Sequence, residues 1–447
     1  MRADLSRGAR RALGNLRRSV TRRPVGLALS GGGSQGSFQA GVLRFLYDEV
    51  RVRPSVVCGS SVGAINGAKL AEGDDPGSGR RAIDELVAIW HGLQDNGDLW
   101  IADPWLEKLR GHSAWASEMR GRAAEHGAAG SQARVVLRML GEMVRNPPDA
   151  DGTLEAVRQA LRARSLLRND PIRAMLEARL VPERIPSSGI TLRIGAVCLE
   201  TGELRYVTER GELLGRDGSR RNGDPVSIVD AAVASSSIPV IFPPARLGEE
   251  HYVDAGVREI LPVEPAVGLV GASGLVFAVV ASAPGVEPIA DVENRGLLDL
   301  ARRVSSDIAP DETLVKDMEP PIGWRGRLEM VAPEFDVHDV LTVDRTLIGA
   351  SLDYGYLRAA DVLLELGDEE RMLTAEITRS RMRLRDLEGP VPGPFVTTEP
   401  EELTDAECQE RRFAELDGLA RLVEQRASMG APLPPGGCGV RTDALRG

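Results

Sequence analysis

The stretch Val25-Gly26-Leu27-Ala28-Leu29-Ser30-Gly31-Gly32-Gly33-Ser34-Gln35-Gly36, with Pro54-Ser55-Val56-Val57-Cys58-Gly59-Ser60-Ser61-Val62-Gly63 soon after it, decides the fold class. Residues 25–30 are an apolar run with little alternation, the pattern of a strand covered on both faces. The glycine turn ends that run, and Phe38, Val42, Phe45 and Leu46 then recur at helical spacing. Residues 54–58 begin the same arrangement again, with a helix opened by Ala64, Ile65, Ala68 and Leu70. Strand, tight turn and helix, twice in close succession, predict an α/β protein with a mostly parallel central sheet.

Both turns carry chemistry. A serine hydroxyl is a poor nucleophile until a base takes its proton and its geometry is fixed. In Gly59-x-Ser61-x-Gly63 the small flanking residues let the chain turn sharply and expose the hydroxyl above the sheet edge. The Gly31-Gly32-Gly33 turn offers backbone N–H groups at a helix N-terminus, where developing negative charge is favoured. A phosphate-binding loop is the rival reading of that turn, but the Gly-Lys-Ser/Thr of such loops is missing and the dinucleotide pattern fits only loosely.

A base must complete the set. The five histidines are His91, His112, His126, His251 and His338, and none has a motif around it. His338 is the candidate if the order serine, acid, histidine is followed. Asp254, set between the short strand His251-Tyr252-Val253 and Gly256, is better placed to project from the sheet edge and take the serine proton directly. Nucleophile, base and anion cradle together indicate an acyl hydrolase.

Further along the chain, Glu72 to Gly79 breaks the βα pattern, and residues 73–188 read as a mainly helical insertion. It holds Trp90, Trp100, Trp105 and Trp115. Filling seams between helices is their plainer role, and anchoring at a lipid interface the alternative. Strands are expected at 191–199, 204–208 and 274–281, a helix at 228–233 and a rigid Pro-containing connector at 235–244. Residues 283–388 read as a helical C-terminal part. Residues 389–447 read as a linker, one helix to about Met429, and a disordered Pro- and Gly-rich tail.

The net charge of −11 argues against nucleic acid as a partner. The basic arm, residues 1–24, holds eight arginines. A solvated tail is its plainer reading, and contact with an anionic membrane through Leu5, Leu13 and Leu16 the alternative. The apolar run behind the arm is only about six residues, too short for a signal peptide. Cys58, Cys198, Cys408 and Cys438 have no pairing or metal spacing, which fits a reducing cytoplasm. No metal or other cofactor is expected.

The ordered set Gly31-Gly32-Gly33-x-x-Gly36, Gly59-x-Ser61-x-Gly63, Ala234-Ser235-Ser236-Ser237-Ile238-Pro239 with Phe242-Pro243-Pro244, and Asp254-Ala255-Gly256 resembles the patatin-like phospholipase family over residues 25–282. That resemblance implies a three-layer α/β/α fold and a Ser–Asp dyad acting on phospholipids, lysophospholipids or neutral glycerides. Ser61 is then the nucleophile, Asp254 the base and the Gly31–Gly33 backbone the oxyanion hole. Many family members carry Arg or Lys in the glycine turn, where this chain has Gln35. Many read Asp-Gly-Gly or Asp-Gly-Ala where it has Asp254-Ala255-Gly256. The leading expectation is a lipid acyl hydrolase in the cytoplasm, with peripheral contact to membranes through the basic arm and the tryptophans. A transacylase using the same acyl-enzyme and a membrane-bound interaction module are the alternatives.

Overall fold

The two strands of the opening motifs lie side by side at the centre of the sheet in the computed structural model, which describes residues 5–73, 80–106, 162–296, 300–301, 303–389 and 405–439. Strand β1 (Val25–Leu29) pairs in parallel with β2 (Val56–Gly59) on one side and with β10 (Leu275–Val279) on the other. β10 in turn pairs in parallel with β11 (Arg327–Val331), and β2 with β5 (Thr191–Cys198). Beyond β5 the sheet becomes antiparallel, through β6 (Leu204–Thr208) and β7 (Leu213–Gly215). β8 (Ala245–Leu247) and β9 (Glu250–Asp254) form a hairpin that also joins β5. A separate two-residue pair links β3 (Ile101–Ala102) to β4 (Leu167–Arg168).

Alternation along β1 explains the layers. Leu27 and Leu29 join the larger core, while Ala28 joins the core on the opposite face. The larger core is covered by α2 (Gly36–Phe45), α3 (Val62–Ala71), α4 (Arg81–Gly92), α5 (Asp170–Arg179), α6 (Ile228–Ser235) and α9 (Arg345–Leu363). The other face carries α7 (Val263–Val270) and α8 (Ala309–Asp317), and its small side chains let α7 approach closely. A Cβ on Gly26 would sit 2.8 Å from a methyl of Val270. The fold is a three-layer α/β/α arrangement, as the motifs led us to expect.

Several expectations change. The N-terminal arm is neither a free tail nor a lipid-facing helix. It forms α1 (Arg7–Arg22), capped by Ser6, whose Oγ accepts from the Ala9 N–H at 3.2 Å. Ala9, Leu13 and Leu16 are buried in the protein core and Leu5 packs beside them, so the apolar stripe is used up internally. The 283–388 region is not wholly helical, because β11 extends the parallel sheet there. Helical structure in 337–387 is confined to α9 and α10 (Asp368–Asp386), after a loop carrying His338. The segment after α11 (Asp405–Ser428) is not a disordered tail up to residue 439. Ala431 and Cys438 are buried, and the Gly430 carbonyl accepts from the Ser6 N–H at 3.3 Å. Residues 440–447, the linker at 390–404 and the centre of the insertion at 107–161 lie outside the described residues.

Trp90 packs between helices in the larger core, Trp100 and Trp105 fill a separate cluster of strand and turn residues with Leu167, Phe242 and Leu341, and each indole N–H has a buried partner. They donate to Asn66 Oδ1 at 3.0 Å, the Leu341 carbonyl at 2.9 Å and the Ser165 carbonyl at 3.1 Å, respectively. Trp115 lies outside the described residues. Among those residues, no helix is long and apolar enough to cross a membrane.

Candidate active site

One edge of β5 carries two strands end to end. Gly59 of β2 pairs with Ile194, and Asp254 of β9 pairs with Ala196, while β6 takes the other edge along the same length. β2 and β9 therefore run toward each other along a single line. Their ends are separated by two residues of β5, about 7 Å at the usual rise of a strand. Ser61 lies just past the end of one strand and Asp254 at the end of the other.

The local backbone aims each side chain into that gap. Ser61 has φ 53° and ψ −125°, a strained conformation for a residue with a Cβ, and it caps the N-terminus of α3. The elbow fits only because its flanks lack side chains. A Cβ on Gly63 would lie 2.2 Å from the Leu29 carbonyl oxygen. Asp254 ends β9, and its Oδ1 accepts from the Gly256 N–H at 2.7 Å. Burial pushes the Asp254 carboxyl up to about 6, while the Ser61 hydroxyl and the Gly256 N–H stabilise its ionised form. Oδ2 nevertheless makes no hydrogen bond of ordinary geometry among the described residues. Ser61 and the carboxylate thus form no closed hydrogen bond here, and acid–base pairs often tighten only when substrate is bound.

The serine triplet after α6 connects the two. The Ser61 N–H donates to Ser235 Oγ at 2.9 Å, and the Asp254 N–H donates to the Ser237 carbonyl at 2.9 Å. Sequence reasoning gave Ser235 and Ser237 no role. The segment entered only as part of the ordered motif set behind the family resemblance, a run of small polar residues between an apolar helix and a proline. Ser235→Ala strands a buried N–H directly beneath the strained elbow. It is expected to cost about 1–3 kcal/mol in urea unfolding and to lower ester turnover by roughly tenfold. Unchanged stability and turnover would show that the elbow holds its shape without this bond.

The glycine turn faces Ser61 from β1. A Cβ on Gly31 would sit 3.2 Å from the Ser61 Cβ. The Gly31 N–H, however, donates to the Ile260 carbonyl at 2.9 Å, so Gly31 shapes the wall and its amide is spent. This corrects the expectation that all three glycines donate. Gly32 and Gly33, with φ of 151° and 54°, have N–H groups without an acceptor among the described residues, as does Val62 at the first position of α3. Val62 was missed from sequence, although the residue after an elbow serine commonly donates there.

The described histidines are elsewhere. His338 lies behind the glycine turn, its ring nitrogens 3.4 Å from the hydroxyls of Ser34 and Ser37, and burial pushes its imidazole below the usual range. Gln35 donates to the His338 carbonyl at 2.8 Å, so its side chain braces the turn from within. His251 faces Glu200 at 2.8 Å on the surface, and His91 is exposed on α4. His112 and His126 lie outside the described residues. No group of three or more His, Cys, Asp or Glu side chains among the described residues could hold a metal ion.

A partly open cavity is lined by Ser61 and Gly33 and extends between α3, α4 and α5. Leu86 and Trp90 line it from α4, and Ile172 and Leu176 from α5. An apolar slot with the Ser61 hydroxyl in its lining suits a hydrocarbon chain ending in a carbonyl.

Comparison with known proteins adds the following. The family model described as patatin-like phospholipase matches residues 27–267. Among solved structures, VipD from Legionella pneumophila is similar at 15% identity, covering 94% of this chain and 89% of its own, with a TM-score of 0.36. Human GIVD cytosolic phospholipase A2 is similar at 11% identity, covering 85% of this chain and 68% of its own, with a TM-score of 0.33. No curated protein matches the chain.

Proposed function

The chain belongs to the patatin-like phospholipase family and is a serine ester hydrolase, and from that premise we propose that Ser61 and Asp254 form its catalytic dyad on acyl-lipid esters. The observation that carries this reading is the meeting of β2 and β9 on one edge of β5, which leaves the Ser61 hydroxyl beside a buried carboxylate with an uncommitted oxygen. Ser61 Oγ attacks the ester carbonyl carbon as its proton passes to Asp254 Oδ2. The negative charge that develops on the carbonyl oxygen is met by the N–H groups of Gly32, Gly33 and Val62 at a helix N-terminus. Collapse breaks the bond to the alcohol, which leaves with the proton held by Asp254. Water then attacks the acyl-enzyme, gives its proton to Asp254, and releases the fatty acid as the proton returns to Ser61.

The raised pKa suits this role, because a base with a pKa of about 6 is ionised at neutral pH yet binds a proton more readily than an ordinary carboxylate. The sign of the pH dependence follows. Below about 6 the carboxyl is protonated and cannot take the serine proton, so kcat/KM is expected to fall roughly tenfold per pH unit and to be level above about 7. The check is fatty-acid release from phosphatidylcholine, lysophosphatidylcholine and diacylglycerol micelles, with products identified by mass spectrometry across this range. No acyl product from any of them, or a rate indifferent to pH between 5 and 8, would defeat the assignment. Transfer of the acyl group to an added alcohol in place of water would mark a transacylase.

A further inference from the structure

The three helices that wall the cavity are tied together by one ammonium at the end remote from Ser61. Ser61, Val62, Ile65, Asn66 and Lys69 line the cavity from a single face of α3. Lys69 stands eight residues beyond Ser61, about 12 Å along the helix axis. Its Nζ reaches both carboxylate oxygens of Glu72 at 3.1 Å, a carboxylate oxygen of Glu85 on α4, and the Arg179 carbonyl at the end of α5 at 2.8 Å. Glu72 is itself fully buried. It also accepts the Val181 N–H at 2.9 Å and lies 3.4 Å from an Arg81 guanidinium nitrogen. α4 runs opposite to α3, so Glu85 meets Lys69 while Trp90 meets Asn66. α5 runs with α3, bringing Arg179 to the same end. Between Ser61 and this knot the walls are largely apolar, and the one polar side chain of α3 there, Asn66, is engaged by the Trp90 indole.

We propose that the Lys69–Glu72–Glu85 knot is the stop of an acyl-chain ruler, so that the enzyme selects esters of medium-chain fatty acids. The proposal rests on the reading of Ser61 as the nucleophile, which fixes where the carbonyl sits. From there an extended carbon chain advances about 1.3 Å per bond, so about 12 Å holds roughly nine or ten carbons. Each methylene up to that length trades water for apolar wall and tightens binding by about fourfold. The next one meets an ammonium already stripped of water and held by two carboxylates. Pushing past it would leave buried charges unpaired, the most costly change available in such a site. A longer chain must fold back or leave its end in water, and gains nothing from its added length.

Two measurements on the full chain test this. The first is calorimetric titration of Ser61→Ala with free fatty acids of six to sixteen carbons. Affinity is expected to rise about fourfold per methylene up to about ten carbons and then to stop rising. The second is kcat/KM of the wild-type protein on p-nitrophenyl esters of the same lengths. A maximum near eight to ten carbons is expected, with the sixteen-carbon ester at least about tenfold lower. Leu86→Trp, which narrows the slot before the knot, should move the maximum to shorter chains. Lys69→Ala should raise the ratio of sixteen-carbon to eight-carbon rates. If Lys69→Ala fails to fold, the length series and Leu86→Trp still decide. Hydrolysis that depends on Ser61 but keeps improving through sixteen carbons overturns the ruler and leaves the dyad standing. A break in affinity near ten carbons without hydrolysis of any ester supports the ruler and overturns the dyad. Neither binding nor hydrolysis overturns both.

Discussion

Ser61→Ala is expected to lower fatty-acid release by a factor of about 10⁴–10⁶, the range seen when a catalytic serine is removed from a hydrolase. The substitution deletes one oxygen and keeps the Cβ, so the backbone at φ 53° carries the same strain and the Ser235 hydroxyl still receives the N–H of position 61. Secondary structure and the midpoint of thermal unfolding should therefore match wild type. That pairing of results separates lost chemistry from lost folding. A variant that retains more than about 1% of wild-type kcat/KM, with product identity confirmed, would show that another group attacks the ester.

Asp254→Asn should lose a comparable factor, since an amide cannot accept the serine proton, while gaining stability at neutral pH. The sign follows from the raised pKa. The folded protein binds a proton at Asp254 more tightly than the unfolded chain does, so ionising this group opposes folding. That penalty is absent below the ordinary carboxylate range, grows as pH rises toward about 6, and is complete above it. A rise from 3.8 to about 6 corresponds to roughly 3 kcal/mol. The neutral amide avoids the penalty and can still accept the Gly256 N–H. Urea unfolding is expected to find the variant more stable by about 1–3 kcal/mol at pH 8, with the difference shrinking toward pH 4. An Asn variant less stable than wild type at pH 8 would mean that the carboxylate is held by more than the two donors described. Combining both substitutions should cost little more activity than either alone, because the two groups act as a unit.

The parts legible in sequence were those whose signal is local. β1, β2 and β10 are continuous apolar runs, and the glycines of the two turns announce backbone that no side chain could share. Ser61 and Asp254 could be selected because each stands in a short motif at the end of a strand. β11 escaped notice because its Arg327-Leu328-Glu329-Met330-Val331 is an edge strand with charged side chains at alternate positions, too short to tell from a loop. The arm shows an apolar stripe of Ala9, Leu13 and Leu16, and the spacing gives the stripe but not what it meets. The spent amide of Gly31 was out of reach for a similar reason, since its acceptor Ile260 is supplied by a distant segment. Ser235 likewise acts through a backbone bond to position 61 that no motif spells out.

The shared edge of β5 also limits how this chain can change length. Ile194 and Ala196 act as two marks on one rod, and strand pairing pins Gly59, two residues before Ser61, to one mark and Asp254, the proposed base, to the other. Loops between the marked strands can grow or shrink without disturbing the rod. Inserting or deleting a single residue at Gly195 would displace one partner by about a strand step and turn the following side chains to the opposite face. Catalysis would fail there with both reacting groups still present, so tolerance of length variation should drop sharply at this one central position.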